Sequence, residues 1–294
     1  MRITRGMMID TTLANIQRNQ ERTSLLQSQL TSGSRITKPS DDPTGAAHAL
    51  SFQEGLDTTE QYLTNVDQAK SWLNTTDSAL DAVTTTLHRA RELAVQASND
   101  TFDAQDRAAM QAEITQLQTH TLDLSHAKFG AYYLFAGTRF DQPGYVQANP
   151  STTPGAYQGN AGQVQREISP GVTLGINADA QTTFDPIFTA FNQLQAGLTA
   201  NSSSQIQASI GALDTAMSAI VTSRAQAGAK VNRLEALQQR LSDVKVNLAG
   251  LLSNVKDVDM AEAITSFSMA QNVLQASLKA GAQVLQPSLL DYLR

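Results

Sequence analysis

The residues of this chain that could do chemistry are few, and their spacing argues against a reaction centre. Asp41 and Asp42 are neighbouring carboxylates that could pair as acid and base. Neither a histidine nor a glycine-rich cradle accompanies them, and Asp42 before Pro43 is an ordinary helix start. His120, Asp123 and His126 recur at intervals of three, whereas a helical metal site prefers histidines four apart with a third ligand close by. There is no cysteine, which removes disulfides, thiolate metal sites and thiol nucleophiles together. Asn74-Thr75-Thr76, Asn99-Asp100-Thr101 and Asn201-Ser202-Ser203 match the N-glycosylation triplet. That pattern is short, and turn and cap chemistry accounts for the two at helix ends. The expectation is a chain that is not an enzyme and holds no cofactor and no metal.

What the sequence does carry is a scaffold. Counting in sevens from Ile206 gives Leu213, Ile220, Ala227, Leu234, Leu241, Leu248 and Val255, all apolar. Such a seam predicts a long coiled-coil helix. Its companion positions are Ile210, Met217 and Val231 early on, then Leu237, Val244, Leu251 and Val258, so the buried face shifts around Gly228. A second seam runs through Phe52, Thr59, Val66, Leu73, Leu80, Leu87 and Ala94, with Tyr62, Ala69, Thr76, Val83, Ala90 and Ala97 beside it. Asp42 as N-cap and Pro43 at the first helical position begin that helix, and Asn99-Asp100 ends it. At 1.5 Å per residue each long helix runs to roughly 80 Å. Matched lengths favour antiparallel pairing.

The bulk numbers narrow the class. Of 294 residues 41% are hydrophobic but only 5% aromatic, which suits thin helical bundles. A net charge of -6 without a basic block argues against nucleic acid and anionic membrane as partners. No run of about 18 apolar residues exists, so no membrane insertion is expected, and the opening residues lack the apolar stretch of a cleaved signal peptide. The stripe from Met260 to Leu285 carries only Lys279 as a cation, unlike an interfacial membrane helix.

Shorter elements flank the long ones. An amphipathic helix opens the chain and closes at Gly33; a third helix carries Met110, Ile114, Leu117, Thr121 and Leu124 and is expected to end near Gly130. Residues 132 to 182 read as a small β-rich domain, with strands near Val164 to Ile168 and Val172 to Ile176. Because both heptad seams lie outside it, deleting about Gly144 to Val172 is expected to leave the helices stable. A short helix with Phe184, Phe188, Phe191 and Leu198 leads to the second long helix, and the last helix ends before Pro287. The fold class is therefore mainly α: a nested antiparallel helical rod with terminal coiled-coil helices and a small β-rich insertion. The expected domains are 1 to 42 with 257 to 294, 43 to 131 with 183 to 256, and 132 to 182. Each end has one apolar stripe and little to bury it against: Ile9, Leu13, Ile16, Leu26 and Leu30 at the start, and Met260, Ile264, Phe267, Leu274, Leu278 and Leu285 at the finish. These residues are the expected assembly interface, ordered when neighbouring subunits cover them.

Several stretches resemble the flagellin family, and within it the branch that joins hook to filament. The opening Met1 to Thr4 through Met7-Met8, the loop Ser32 to Ile36 followed by Pro39-Ser40-Asp41-Asp42-Pro43, and Tyr133-Leu134-Phe135-Ala136-Gly137 are similar to that branch. Shared with the family at large are Asn99 and Thr101 followed by Asp106-Arg107, Arg224 to Gly228 followed by Asn232 to Glu235, and Asp257-Val258-Asp259-Met260-Ala261. The resemblance implies export of an unfolded chain by the type III route, with a flagellar chaperone on the C-terminal region. It further implies an extracellular ring of copies at the hook–filament junction, between a neighbouring hook-associated protein and filament-side flagellin, with the terminal helices as inner tube. A flagellin filament subunit and a secreted helical adhesin acting through the β insertion remain open alternatives.

Overall fold

The computed structural model describes residues 5–146 and 156–285, with the side chains of Arg5, Val284 and Leu285 outside the description. Six helices carry the fold: α1 (Arg5–Ser32), α2 (Pro43–Ala97), α3 (Ala104–Ser125), α4 (Ala180–Thr199), α5 (Ser203–Lys256) and α6 (Met260–Leu285). Two antiparallel hairpins lie between α3 and α4: β1 (Lys128–Phe129) with β2 (Tyr132–Tyr133), and β3 (Gln165–Ser169) with β4 (Val172–Gly175). The expected stop at Pro287 lies outside the described residues.

The chain divides into two compact units. The first holds residues 1–59 and 244–294 and contains α1, α6, the start of α2 and the end of α5. Asp42 begins α2 as its sequence suggests, its carboxylate accepting the Gly45 amide at 2.8 Å. The end of α5 is capped by a distant loop. Arg35 N–H donates to the Lys256 carbonyl at 2.7 Å, the Ser34 hydroxyl to the same oxygen at 3.1 Å, and the Arg35 guanidinium to Val255 O at 3.0 Å. A cation on the terminal carbonyls is where the helix dipole favours it. Gly33, at φ +67°, makes the turn that delivers this loop, and Asp259 caps α6 through the amides of Ala261 and Glu262.

The second unit, residues 60–243, holds the core. Along α2 the heptad positions Val66, Leu73, Leu80, Leu87 and Ala94 are buried, and on α5 so are Ile206, Leu213, Ile220, Ala227, Leu234 and Leu241. A third stripe on α2, Trp72, Ala79, Thr86 and Leu93, is buried as well. The two-stripe pattern in the sequence does not reveal it. Trp72 packs on Phe129 and Phe140, and Arg89 donates to Glu113 of α3 at 2.6 Å, so this side of α2 meets α3 and the segment that follows it.

Two expectations change here. Helix α3 ends at Ser125 rather than near Gly130, because the chain reverses at Gly130 (φ +62°) to pair Lys128 with Tyr133. The ring of Phe129 then reaches Trp72 instead of continuing a helical stripe. The structure also argues against the tolerance expected for a Gly144 to Val172 deletion. Tyr145 and Ile168 are 2% and 1% exposed and belong to the same apolar cluster as Leu73 and Leu213.

Candidate assembly surfaces

Helices α1 and α6 pair antiparallel, which follows from two contacts that run in opposite directions along them. Asn19 Nδ2 donates to Ser277 Oγ at 2.8 Å, and a Cβ added at Gly281 would stand 2.9 Å from Ile16 Cδ1. The seam on α1 is Ile9, Thr12, Ile16, Asn19, Thr23, Leu26 and Leu30, all half-buried. Opposite it α6 presents Ala263, Phe267, Ala270, Leu274, Ser277 and Gly281. Small and polar residues thus share the seam with Ile9, Ile16, Leu26, Leu30, Phe267 and Leu274, while other large apolar side chains stay outside it.

The expected interface residues divide accordingly. Ile9, Ile16, Leu26, Leu30, Phe267 and Leu274 lie in the seam and serve the pair itself. Leu13, Met260, Ile264 and Leu278 are 54%, 46%, 53% and 51% exposed and are left for another surface. The side chain of Leu285 lies outside the described residues. Thr12 and Asn19, which a search for apolar repeats passes over, complete the heptad spacing 9, 16, 23, 30 and 12, 19, 26.

The loop from Pro39 to Pro43 does structural chemistry. The Asp41 carboxylate accepts the Thr37 hydroxyl at 2.8 Å, the Lys38 amide at 2.8 Å and the Thr37 amide at 3.2 Å. The Thr37 hydroxyl bond foremost, then the Lys38 amide, holds its pKa below the ordinary aspartate value. Asp42 caps α2 and meets Arg35 at 3.5 Å. Pro39 and Ser40 are exposed. A lowered pKa and one oxygen that accepts three hydrogen bonds suit a turn and oppose general-acid work.

The other candidates separate too. His126 Nε2 lies 2.6 Å from the Tyr145 carbonyl, whereas His120 and Asp123 are exposed. Tyr133 to Gly137 is a core and turn feature: Leu134, Phe135 and Ala136 are buried, and Gly137 at φ +68° lies where a Cβ would collide with the Asn160 carbonyl.

Arg107 is the residue whose role sequence reasoning missed. It is 4% exposed, and its guanidinium donates to Ala97 O at 3.0 Å, Asn99 O at 3.2 Å, Ser203 Oγ at 2.9 Å, and both the carbonyl and side-chain oxygens of Asn201. One side chain therefore satisfies the end of α2 and the turn between α4 and α5. The signal was the pairing of Asn99 with Asp106-Arg107, which marks a motif without showing its distant partner. Between α2 and α5, Arg224 bridges Asp77 at 2.8 Å and Asp81 at 2.7 Å, and Arg91 meets Asp214 at 2.7 Å.

Comparison with known proteins fits this arrangement. The bacterial flagellin N-terminal helical region matches residues 3–139, and the bacterial flagellin C-terminal helical region matches residues 210–293. The chain is 27% identical over 308 residues to flagellar hook-associated protein 3 of Escherichia coli strain K12, covering 95% of this chain and 96% of that protein. It is 28% identical over 280 residues to flagellin FlaB2 of Treponema pallidum, covering 90% of each. Its fold is similar to the crystal structure of Bacillus cereus FlgL, with a TM-score of 0.61 at 21% identity, over 69% of this chain and 99% of that one. With both terminal helical regions matched over most of its length, the chain belongs to the flagellin family.

Proposed function

We propose that this protein is a structural subunit of the bacterial flagellum that joins hook to filament. The observation that carries the reading is the match along nearly the whole of both chains to flagellar hook-associated protein 3. The Pro39 to Pro43 loop, where filament flagellins read more like Ser-Ala-Lys-Asp-Asp-Ala, favours the same branch. The chain leaves the cytoplasm unfolded by the type III route, attended by an export chaperone on its C-terminal region, and orders its ends on assembly. Copies form a ring outside the cell, with a neighbouring hook-associated protein on one side and flagellin on the other. Residues 1 to 42 with 257 to 294 line the inner tube, 43 to 131 with 183 to 256 form the next layer, and 132 to 182 lie outermost. Leu13, Met260, Ile264 and Leu278 supply apolar contact between subunits, which their exposure in the single chain supports.

The test is the position of a tagged copy on intact flagella. A single band at the hook boundary is expected. Label spread along the filament would favour the second reading, a filament flagellin, which the likeness to flagellin FlaB2 keeps in view. Label absent from the flagellum would overturn both.

A further inference from the structure

No residue between α5 and α6 forbids a helix. Asp257, Val258 and Asp259 join Lys256 to Met260, and they include neither glycine nor proline nor a positive φ. Sharp breaks in long helices come from proline, from glycine and serine pairs, from bulges, or from a group that enters the i to i−4 ladder. The ladder here runs up to Asp257, whose amide donates to the Ser253 carbonyl at 2.9 Å, and is in place again at Ala263, whose amide donates to Asp259 O at 2.9 Å. Asp259 accepts the amides of Ala261 and Glu262, which permits a helix to start there but does not compel one. The cause of the break therefore lies outside this segment.

Residues 33 to 35, in the same unit, supply it. In one continuous helix the amides of Val258, Asp259 and Met260 would donate to the carbonyls of Asn254, Val255 and Lys256. Instead Val258 N–H donates to Gly33 O at 3.1 Å, and the Arg35 guanidinium donates to Val255 O at 3.0 Å. The Arg35 amide and the Ser34 hydroxyl reach Lys256 O at 2.7 and 3.1 Å. Helical partners at Val258, Val255 and Lys256 are thus replaced by groups from one short segment. Ser34 is 8% exposed and forms a β-bridge with Asp257, and the Arg35 guanidinium also meets the Asp42 carboxylate at 3.5 Å.

We infer that Gly33 to Arg35 form a latch that breaks one continuous helix into α5 and α6, and that the pairing of α6 with α1 depends on it. The break resets the helical phase. Toward its end α5 half-buries Lys245, Leu248, Leu252 and Val255, and the same repeat carried through the junction arrives at Glu262, Ser266, Met269 and Val273. The seam that α6 turns to α1 comes one residue later, at Ala263, Phe267, Ala270 and Leu274. One residue is about 100° around the helix. An unbroken helix would bring Glu262 and Ser266 toward the line of the seam and turn Phe267 and Leu274 away from it. The latch follows directly on α1, which ends at Ser32, so the N-terminal segment itself sets the face that α6 offers it. This inference concerns the chain alone and does not rest on the flagellar reading.

The test uses the purified full chain labelled for NMR. Ser34→Ala with Arg35→Pro removes the hydroxyl, the guanidinium and the amide of the latch together. In that variant the Cα shifts of residues 257 to 260 should move to helical values, and the amides of Asp259 and Met260 should gain protection from exchange. Adding Val258→Pro, which a helix interior rejects, should return those shifts to non-helical values. In the parent chain, helical shifts at 257 to 260 and a protected Arg35 amide should exclude each other. Both together, or neither, would overturn the inference. So would a latch variant whose residues 257 to 260 stay non-helical, because the break would then belong to the segment itself. The main thermal transition should be the same in all these chains, since the second unit has no part in the latch. If it changes, Arg35→Ala alone decides the matter: it keeps the backbone donor and should move the same shifts part of the way, and unmoved shifts would overturn the latch.

Discussion

Arg107 donates from one nearly inaccessible guanidinium to both the backbone carbonyl and the side-chain oxygen of Asn201, a residue at φ +48°. The left-handed turn at Asn201 reverses the chain between α4 and α5, and Arg107 at the start of α3 fastens it to the end of α2. Replacing Arg107 by Ala would leave the carbonyls of Ala97 and Asn99 without their charged donor. Each such loss costs about 1–3 kcal/mol. Chemical denaturation should show Arg107→Ala several kcal/mol less stable than the parent chain, and Arg107→Lys should recover only part, since an ammonium cannot span all of these acceptors. An unchanged midpoint for Arg107→Ala would show that water satisfies these groups as well.

How much of this was legible beforehand differs element by element. The heptads through Leu73 and Leu234 fixed the positions of α2 and α5, because a seam repeated over many turns leaves few other interpretations. The third stripe of α2 was hidden, since Trp72, Ala79, Thr86 and Leu93 mix an aromatic, a small residue and a polar one. The rings that meet Trp72, those of Phe129 and Phe140, stand more than fifty residues downstream, and such contacts carry no period. The same holds for the seam between α1 and α6. Leu13 is apolar yet exposed, while Thr12 and Asn19 are polar yet in the seam, so hydrophobicity alone does not mark which residues serve the α1–α6 pair.

The hairpin region offers a second measurement. Removing Gly144 to Val172 takes away Tyr145 and Ile168, which together fill space against Phe184, Phe188 and the rest of the core. Loss of one large buried apolar side chain costs about 2–5 kcal/mol. Thermal unfolding of the deletion should move down by many degrees and lose cooperativity in the second unit. A deletion variant that kept the parent's transition would show that α2 to α5 close over the gap.

Tyr145 also sets a pH dependence. Burial first, and its 2.6 Å hydrogen bond to Asp185 second, push its phenol well above the ordinary tyrosine range. The folded chain therefore keeps a proton that the unfolded chain releases near pH 10, so stability is full below that value and falls as pH rises past it. Tyr157 is raised by burial in the same direction. Tyr145→Phe should flatten the alkaline loss without abolishing it, as read from denaturant midpoints on either side of pH 10. An equally steep loss in the variant would assign the effect to other groups.

The two α6 leucines separate folding of the terminal pair from contact between subunits. Leu274 lies in the seam with α1, whereas Leu278 is 51% exposed. Leu274→Asp should weaken the pair wherever it is formed, and hydrogen exchange in α1 and α6 of the assembled subunit should rise. Leu278→Asp should leave the single chain unchanged but place an unpaired charge in the assembled contact, at a cost of several kcal/mol. Cells carrying it should export the subunit into the medium and bear hooks without filaments. Normal filaments on those cells would remove Leu278 from the interface.

Growth behaviour distinguishes a junction subunit from a filament subunit. A filament flagellin binds copies of itself above and below without limit, whereas a junction subunit needs one face for the hook side and another for flagellin. The purified chain is therefore expected not to grow into long filaments, under strong salting-out conditions or with sheared hooks as seeds. Salting-out strengthens apolar burial, so exposed residues such as Ile264 and Leu278 will drive association under those conditions. Unlimited growth needs more than burial, because axial faces must match from copy to copy. Small closed or irregular assemblies fit a junction subunit. Micrometre-long helical filaments of this protein alone, seen by electron microscopy, would assign it to the filament instead.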